Sequence, residues 1–331
     1  MFEGQSVKLQ INEVATRDGL QNEPVFVDTD DKVDLIDQLS GLGYAKIEVT
    51  SFTSPMAIPA LKDAEAVMHR IRREPGVVYT ALIPNVRGGE RALECKVDEF
   101  NLVMSASETH NLANLRMTRK QSLRQLADVS SLARSAAVPV NISLSCVFGC
   151  PMEGEVTHQS VLDLVGEFAQ LGANGVTLCD TTGMAYPTQV HQICEAVLNA
   201  YPGLNITGHF HNTRGMGLAN TLAAVEAGVR QFDMSLGGIG GCPYAPGASG
   251  NVSTEDVVHM LNCMGYETGV NVEGLIAAAH RLEQLIGHEL PAQVSRSGPR
   301  LTRHAPPTGF ETIRERALAR DNESTSKLEK P

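Results

Sequence analysis

Residues 205–228 read NITGHFHNTRGMGLANTLAAVEAG. Their patterning predicts a strand over 205–211 running into a helix over 217–228, which is one βα unit. Working outward, the same unit recurs. Strands are predicted at 7–14, 45–49, 77–83, 100–104, 138–146, 175–179 and 231–236. Helices follow at 30–42, 60–73, 89–96, 119–136, 157–171, 188–200 and 254–264, with a long loop between the strand at 100–104 and its helix. Eight strand-helix units in about 260 residues predict a (β/α)8 TIM barrel. A doubly wound open sheet would carry a G-x-G-x-x-G turn after the first strand, and Thr16-Arg17-Asp18-Gly19-Leu20-Gln21 stands there instead. P-loop and G-x-S-x-G motifs are also absent from the sequence, which removes nucleotide hydrolysis and serine-hydrolase chemistry.

A further helical segment at 273–286 is expected to cover the barrel rim, so the barrel domain is taken as 1–286. The remainder, 287–331, is polar and is expected to be partly disordered, above all the charged stretch from 311. With 42% hydrophobic residues, the 331-residue chain can bury a core of barrel size. Its net charge of -11 argues against an extended nucleic-acid or anionic-membrane surface. No apolar run approaches the roughly 20 residues that span a bilayer. The start, MFEGQSVKLQ, has neither secretory nor transit character, so a cytoplasmic protein is expected. Seven cysteines without a C-x-x-C pair suit free thiols in a reducing compartment.

Residues two apart on a strand share a face, so His209 and His211 project together with Phe210 on the other side. Alone, such a pair fits hydrogen-bonded lumen residues as well as a metal site. Barrel active sites gather at the C-terminal strand ends. There the sequence puts Arg17 and Asp18 after strand one, Glu48 and Ser51 on strand two, Asp180 on strand six and a glycine-rich loop, 237–251, after strand eight. Asp18, His209, His211 and Asn251 form a mixed imidazole and oxygen set that suits Mg²⁺ or Mn²⁺, with Zn²⁺ as runner-up. Arg17 offers a permanent fork of donors for an enolate oxygen, or a salt bridge to Glu48 or Asp180. Glu48 lies between Ile47 and Val49 and needs a partner to be buried, so pairing with Arg17 is expected. Asp180 is open as ligand, base or partner of Arg17. Cys242, on the glycine loop, is a candidate proton-transfer thiol, with a packing role as the plain alternative. Gln21, Ser51, Arg214, Gly238 and Gly240 complete the expected substrate-facing and loop positions.

The strings VATRDGLQNE (14–23), IEVTSFTSP (47–55), SLSCVFGCPMEG (143–154), LCDTTG (178–183), GHFHNTRGMGLANTL (208–222) and GGIGGCPYAPGASGNVSTEDVVHML (237–261) together resemble the 3-hydroxy-3-methylglutaryl-CoA lyase family. The resemblance covers about 7–285, and the loop around Cys242 is its most specific part. It implies a divalent cation on Asp18, His209, His211 and Asn251. It also implies enolate stabilisation by Arg17, catalytic-shell roles for Glu48 and Asp180, and proton transfer at Cys242. The implied reaction is retro-Claisen cleavage of an acyl-CoA; separately, the extra C-terminal helix after the barrel makes a homodimer the expected assembly. Three features depart from the family pattern. Asn212-Thr213-Arg214-Gly215 replaces Asp-Thr-Tyr-Gly, Pro24 stands where lysine is common, and no cysteine follows Cys263. Arg214 then adds a cation near the mouth and leaves the 3-hydroxyacyl-CoA open. The other readings are a Claisen-type condensing acyltransferase, a citramalyl-CoA-type lyase on the same barrel, and a non-catalytic CoA-thioester binding protein.

Overall fold

The strands form where periodicity sets them. In the computed structural model, which describes residues 7–241, 247 and 250–328, they are β1 Gln10–Glu13, β2 Lys46–Ser51, β3 Val78–Leu82, β4 Glu99–Ser105, β5 Val140–Ser145, β6 Gly175–Asp180, β7 Asn205–Phe210 and β8 Gln231–Met234. Each pairs in parallel with its sequence neighbour, and β1 closes on β8 from Gln10↔Gln231 to Glu13↔Met234. The expected TIM barrel is therefore the observed one.

Between strands run α1 Thr29–Ser40, α2 Ala64–Arg70, α3 Val86–Glu94, α4 Glu108–Leu115, α5 Arg119–Ser135, α6 His158–Gln170, α7 Pro187–Ala200, α8 Gly217–Ala227 and α9 Thr254–Cys263. They are followed by α10 Val272–Ile286 and the short α11 Val294–Ser297. Several begin at side-chain caps that satisfy free N–H groups of the first turn. Thr118 and Gln121 form a reciprocal capping box at α5, and Ser253 accepts from Asp256 N at α9.

Strand residues alternate between two environments. Ile142, Val176 and Phe232 join Leu35, Val161 and Val257 in the apolar layer between barrel and helices. Between them, Asn101, Asn141, Ser143 and Thr177 hydrogen-bond to one another inside the barrel. Burying a large aliphatic side chain contributes about 1.5–3 kcal/mol, whereas a satisfied polar pair contributes about 1, so the outer layer carries most of the stability. The polar lumen is free to serve as the floor of a site.

Three differences from the sequence reading have local causes. The long loop expected after β4 contains α4, whose run ETHNLANL is too polar to show a face but is capped by Ser107. The chain after β1 makes a single π-helical turn, Ala15–Gly19, in which Val14 O accepts from the N–H groups of Arg17, Asp18 and Gly19. The unit containing the barrel runs to Ser297, past the edge drawn at 286, because Leu290, Ala292 and Val294 are buried. A second unit, Gly298–Pro331, carries α12, Phe310–Leu328, in the segment whose composition suggested a frayed tail. It is rich in Ala, Arg and Glu, which favour helix, and Arg314 pairs with Glu311 one turn away.

Candidate metal centre and active site

Two strand ends and one turn meet at the barrel mouth. On β7 and just beyond it, His209 and His211 bring their Nε2 atoms to 3.3 Å. Two imidazole nitrogens converge this closely only if one carries a proton and donates to the other, or if an ion joins them. The π-helical turn adds Asp18, and one ligand atom from each of Asp18, His209 and His211 lies within 4.8 Å of the others. The expected fourth member, Asn251, bridges to His211 through the backbone and donates from Nδ2 to Asp18 Oδ2 at 2.7 Å. Its Oδ1 is buried without a hydrogen-bond partner, as is His211 Nδ1. An unpartnered amide oxygen beside a carboxylate and two imidazoles is a set of donor atoms that fits a divalent ion.

Protonation supports that use. Burial strongly disfavours charge on His211, and neighbouring His209 adds to it, pushing its pKa down to about 3 and leaving a neutral ring. Burial also acts against charged His209, but Asp233 and Asp18 outweigh it and hold the pKa above its ordinary value. Asp233 Oδ2 lies 3.4 Å from His209 Nδ1, so the proton belongs on Nδ1 and the Nε2 lone pair faces His211. Burial alone would raise Asp18, yet Arg17 and the two histidines keep its pKa low.

Arg17 is buried and held on both sides. Its Nε and Nη2 donate to Glu48 Oε2 at 2.7 and 2.6 Å, and Nη1 donates to Asp18 Oδ1 at 2.8 Å. Of five guanidinium N–H groups, three are used and two remain for a ligand. Burial pushes the Glu48 carboxyl up, while Arg17 and Asn101, which donates to Oε1 at 2.7 Å, favour the ion. Glu48 thus takes the pairing its apolar neighbours demanded.

The other expected residues divide. A cavity of about 690 Å³ opens over this set and is lined by Arg17, Asp18, Gln21, His209, His211 and Gly240, among others. Gly240 adopts φ +100, and a Cβ there would meet Asn251 Nδ2 at 2.6 Å, so glycine lets the loop press against the centre. Gly238, also at positive φ, packs against Asn251 O and Pro291 rather than lining the cavity. Ser51 turns to Thr53, which it contacts at 2.7 Å and which faces the cavity in its place.

Arg214 does not stand over the mouth as a free cation. Its Nη1 donates to Thr182 O and Gly183 O at 3.1 and 2.7 Å and ties the loop after β7 to the loop after β6. Asp180 is not Arg17's partner: its Oδ1 accepts from Met184 N and Ala185 N, its Oδ2 is buried without a partner, and burial raises its pKa to about 7. Cys242 lies outside the described residues.

Sequence reading missed Asp233 and Asn101. Both occupy polar positions within apolar strands, the signal that singled out Glu48, but neither sits in a distinctive string. Cys179, read as a spectator, lines the cavity, and burial pushes its thiol pKa well up, which makes it a poor nucleophile.

Comparison with known proteins finds relatives along most of the chain. Hydroxymethylglutaryl-CoA lyase YngG of Bacillus subtilis is 47% identical over 286 residues, 86% of this chain and 96% of that one. (R)-citramalyl-CoA lyase of Chloroflexus aurantiacus is 38% identical, covering 87% of this chain and 94% of its own length. The structure of an HMG-CoA lyase from Acinetobacter baumannii in complex with coenzyme A and 3-methylmalate superposes with a TM-score of 0.88 at 46% identity, covering 92% of this chain and all of that one. The HMGL-like family profile matches residues 8–282, so the chain belongs to the HMGL-like family.

Proposed function

We propose that this protein is a carbon–carbon lyase that cleaves 3-hydroxy-3-methylglutaryl-CoA, or a close 3-hydroxyacyl-CoA, to acetyl-CoA and a keto acid such as acetoacetate. The observation that carries this reading is Arg17, fixed between Glu48 and Asp18 with two N–H groups to spare, beside the converging Asp18, His209 and His211. A retro-Claisen cleavage needs an acidified tertiary hydroxyl with a base to take its proton, stabilisation of the enolate left as the C–C bond breaks, and a proton donor for that enolate.

Asp18, His209, His211 and Asn251 would hold the cation, Mg²⁺ or Mn²⁺ by their mixed donors, which when bound supplies a Lewis acid for the substrate hydroxyl. Arg17 keeps its charge throughout, because Glu48 and Asp18 both stabilise the protonated form. Arg17 lines the same cavity, and its free N–H groups donate to the enolate oxygen as the C–C bond breaks. Glu48 and Asn101 fix the guanidinium beforehand, so no reorganisation is needed when charge develops. Asp180 supports the mouth from behind by holding the turn at Met184 and Ala185. Cys242, two residues after Gly240 in the sequence, is proposed to protonate the acetyl-CoA enolate. We place the enzyme in the cytoplasm as a homodimer. The free state of the described cysteines suits a reducing compartment, and sedimentation would test the dimer.

The test is acetyl-CoA release from 3-hydroxy-3-methylglutaryl-CoA with Mg²⁺ or Mn²⁺, run beside citramalyl-CoA. Release from the former at the higher kcat/KM is expected. Preference for citramalyl-CoA would move the substrate. Condensation of acetyl-CoA with a 2-oxo acid and no cleavage would replace the reaction, and thioester binding without turnover would leave a binding protein.

A further inference from the structure

The barrel interior below the histidines is polar. In a tilted barrel the inward side chains of alternate strands stand at one height, and branched apolar residues usually fill these layers. Here the register puts Asn12, Thr80, Asn141 and Thr207, from β1, β3, β5 and β7, in one layer. Glu48, Asn101, Thr177 and Asp233, from the even strands, form the next layer toward the mouth. That upper layer carries the two acids that orient the centre, since Glu48 holds Arg17 and Asp233 holds His209. The lower layer supports it from beneath: Asn141 donates to Asn101 and Thr177, and Asn12 donates to Asp233.

Both layers line one cavity of about 20 Å³. A single water needs roughly 10–15 Å³ of such space and about two to four polar partners, so there is room for one molecule and not for a file of them. Among the described residues, two buried side-chain atoms of the wall residues have no hydrogen-bond partner, Asn12 Oδ1 and Thr80 Oγ1. Asn12 cannot exchange its oxygen for its nitrogen, because the Asp233 carboxylate only accepts and fixes the amide N–H on its own side at 2.8 Å.

The chemistry of the wall selects the occupant. Its carboxylates already have donors: Glu13 from Tyr44 and Thr254, Glu48 from Arg17 and Asn101, Glu99 from Lys46, and Asp233 from Asn12. What remains is a neutral carbonyl oxygen and a hydroxyl, beside Lys46, whose ammonium donates twice to Glu99 and has a third N–H. A cation would be repelled by that ammonium, whereas a water both donates and accepts.

We infer that the barrel lumen binds one ordered water between Asn12 Oδ1 and Thr80 Oγ1. Through it Thr80 steadies the Asn12 amide, and Asn12 in turn holds Asp233 against His209. Asn12 and Thr80 are therefore positioning residues for the cation site proposed above, on which this second part of the inference rests.

The test uses the full chain as wild type, Thr80→Val and Thr80→Ser. Valine keeps the shape and removes the hydroxyl, and serine keeps the hydroxyl. Crystal structures at a resolution that shows ordered water read the site directly. Density for one water in hydrogen-bonding reach of both atoms is expected in wild type and Thr80→Ser, with no bridging water in Thr80→Val. A dry cavity in wild type, or a water that misses either atom, overturns the site. Titration with Mn²⁺ reads the positioning role. Affinity should fall about two- to tenfold in Thr80→Val, the scale of one lost hydrogen bond, and recover in Thr80→Ser. Unaltered affinity in Thr80→Val, or an equal loss in Thr80→Ser, overturns that role. Thr80→Ala takes the place of Thr80→Val if the latter does not fold. If wild type binds no Mn²⁺, the cation reading and the positioning role fail together, while the density still decides the water.

Discussion

Arg17 shows how one residue is fixed by its neighbours. Free in water its charge would be worth little, but here burial, Glu48 and Asp18 hold the guanidinium in one orientation on the cavity wall. Arg17→Gln is therefore expected to lower kcat about 10²–10³-fold, the range for removing a preorganised oxyanion donor, while metal content stays near that of wild type. Kinetics with metal analysis on the same samples checks this, and near-normal kcat would refute the enolate assignment. Asp233 acts one step back. It orients His209 through Nδ1 and accepts from Asn12 Nδ2 at 2.8 Å through its other oxygen. Asp233→Asn keeps the shape but removes the charge that favours the Nδ1 proton, and should weaken cation affinity about 10–100-fold. Isothermal titration with Mn²⁺ measures it; unaltered affinity would mean that His209 is positioned by packing alone.

At the scale of elements, the centre depends on two irregular pieces: the π-helical turn that carries Arg17 and Asp18, and the chain from Gly237 that returns to Asn251. Gly240 is where the second presses on the first. A methyl group there would lie 2.6 Å from Asn251 Nδ2 and 3.1 Å from Asp18 Oδ2, whereas Gly215, also at positive φ, has open space around it. Both Gly240→Ala and Gly215→Ala should lose about 1 kcal/mol or more from backbone strain. Gly240→Ala alone should also lose cation affinity, and parallel melting and Mn²⁺ titrations separate the two effects. The difference between regular and irregular pieces explains what the sequence reveals. Strands and amphipathic helices repeat, so β1 to β8 and most helices were legible within a few residues. A single turn such as Ala15–Gly19 has no period, and α4 has no apolar face, so neither was. His209 and His211 were legible because a spacing of two on a strand has one geometric meaning. Arg214 was misplaced because a charge in a loop carries no direction: only the carbonyls of Thr182 and Gly183 show where it points.

Across the whole molecule, the barrel brings its first and last strands together, and buried acids fasten that seam. Glu13, on β1, accepts from Ala15 N, Leu236 N, Tyr44 Oη and Thr254 Oγ1, which link the strand to the segments after β8 and to α9. Glu255, on α9, receives Gly237 N on both oxygens and has fewer donors. Burial pushes both carboxyls up, and the proximity of Glu13 adds to the effect at Glu255, whose pKa reaches about 8. Two buried carboxylates so near each other do not both ionise readily, and Glu255, with the poorer donor set, is the one expected to keep its proton. The sign for stability follows from the raised folded value. Below the unfolded pKa of about 4.5 both states are protonated and the contribution is fully present. Between there and about 8 the unfolded chain gives up the proton while the folded chain keeps it, so stability falls as pH rises, by at most about 1.4 kcal/mol per pH unit from this group. Above about 8 the loss is complete. Urea unfolding of wild type and Glu255→Gln at a series of pH values from 5 to 9, both with chelator to keep cation linkage out, isolates the contribution. The difference between the two proteins should change steadily up to about pH 8 and then level off. A difference that is flat across the series would show that Glu255 is ionised in the folded barrel and that the seam is held by charge-assisted hydrogen bonds instead.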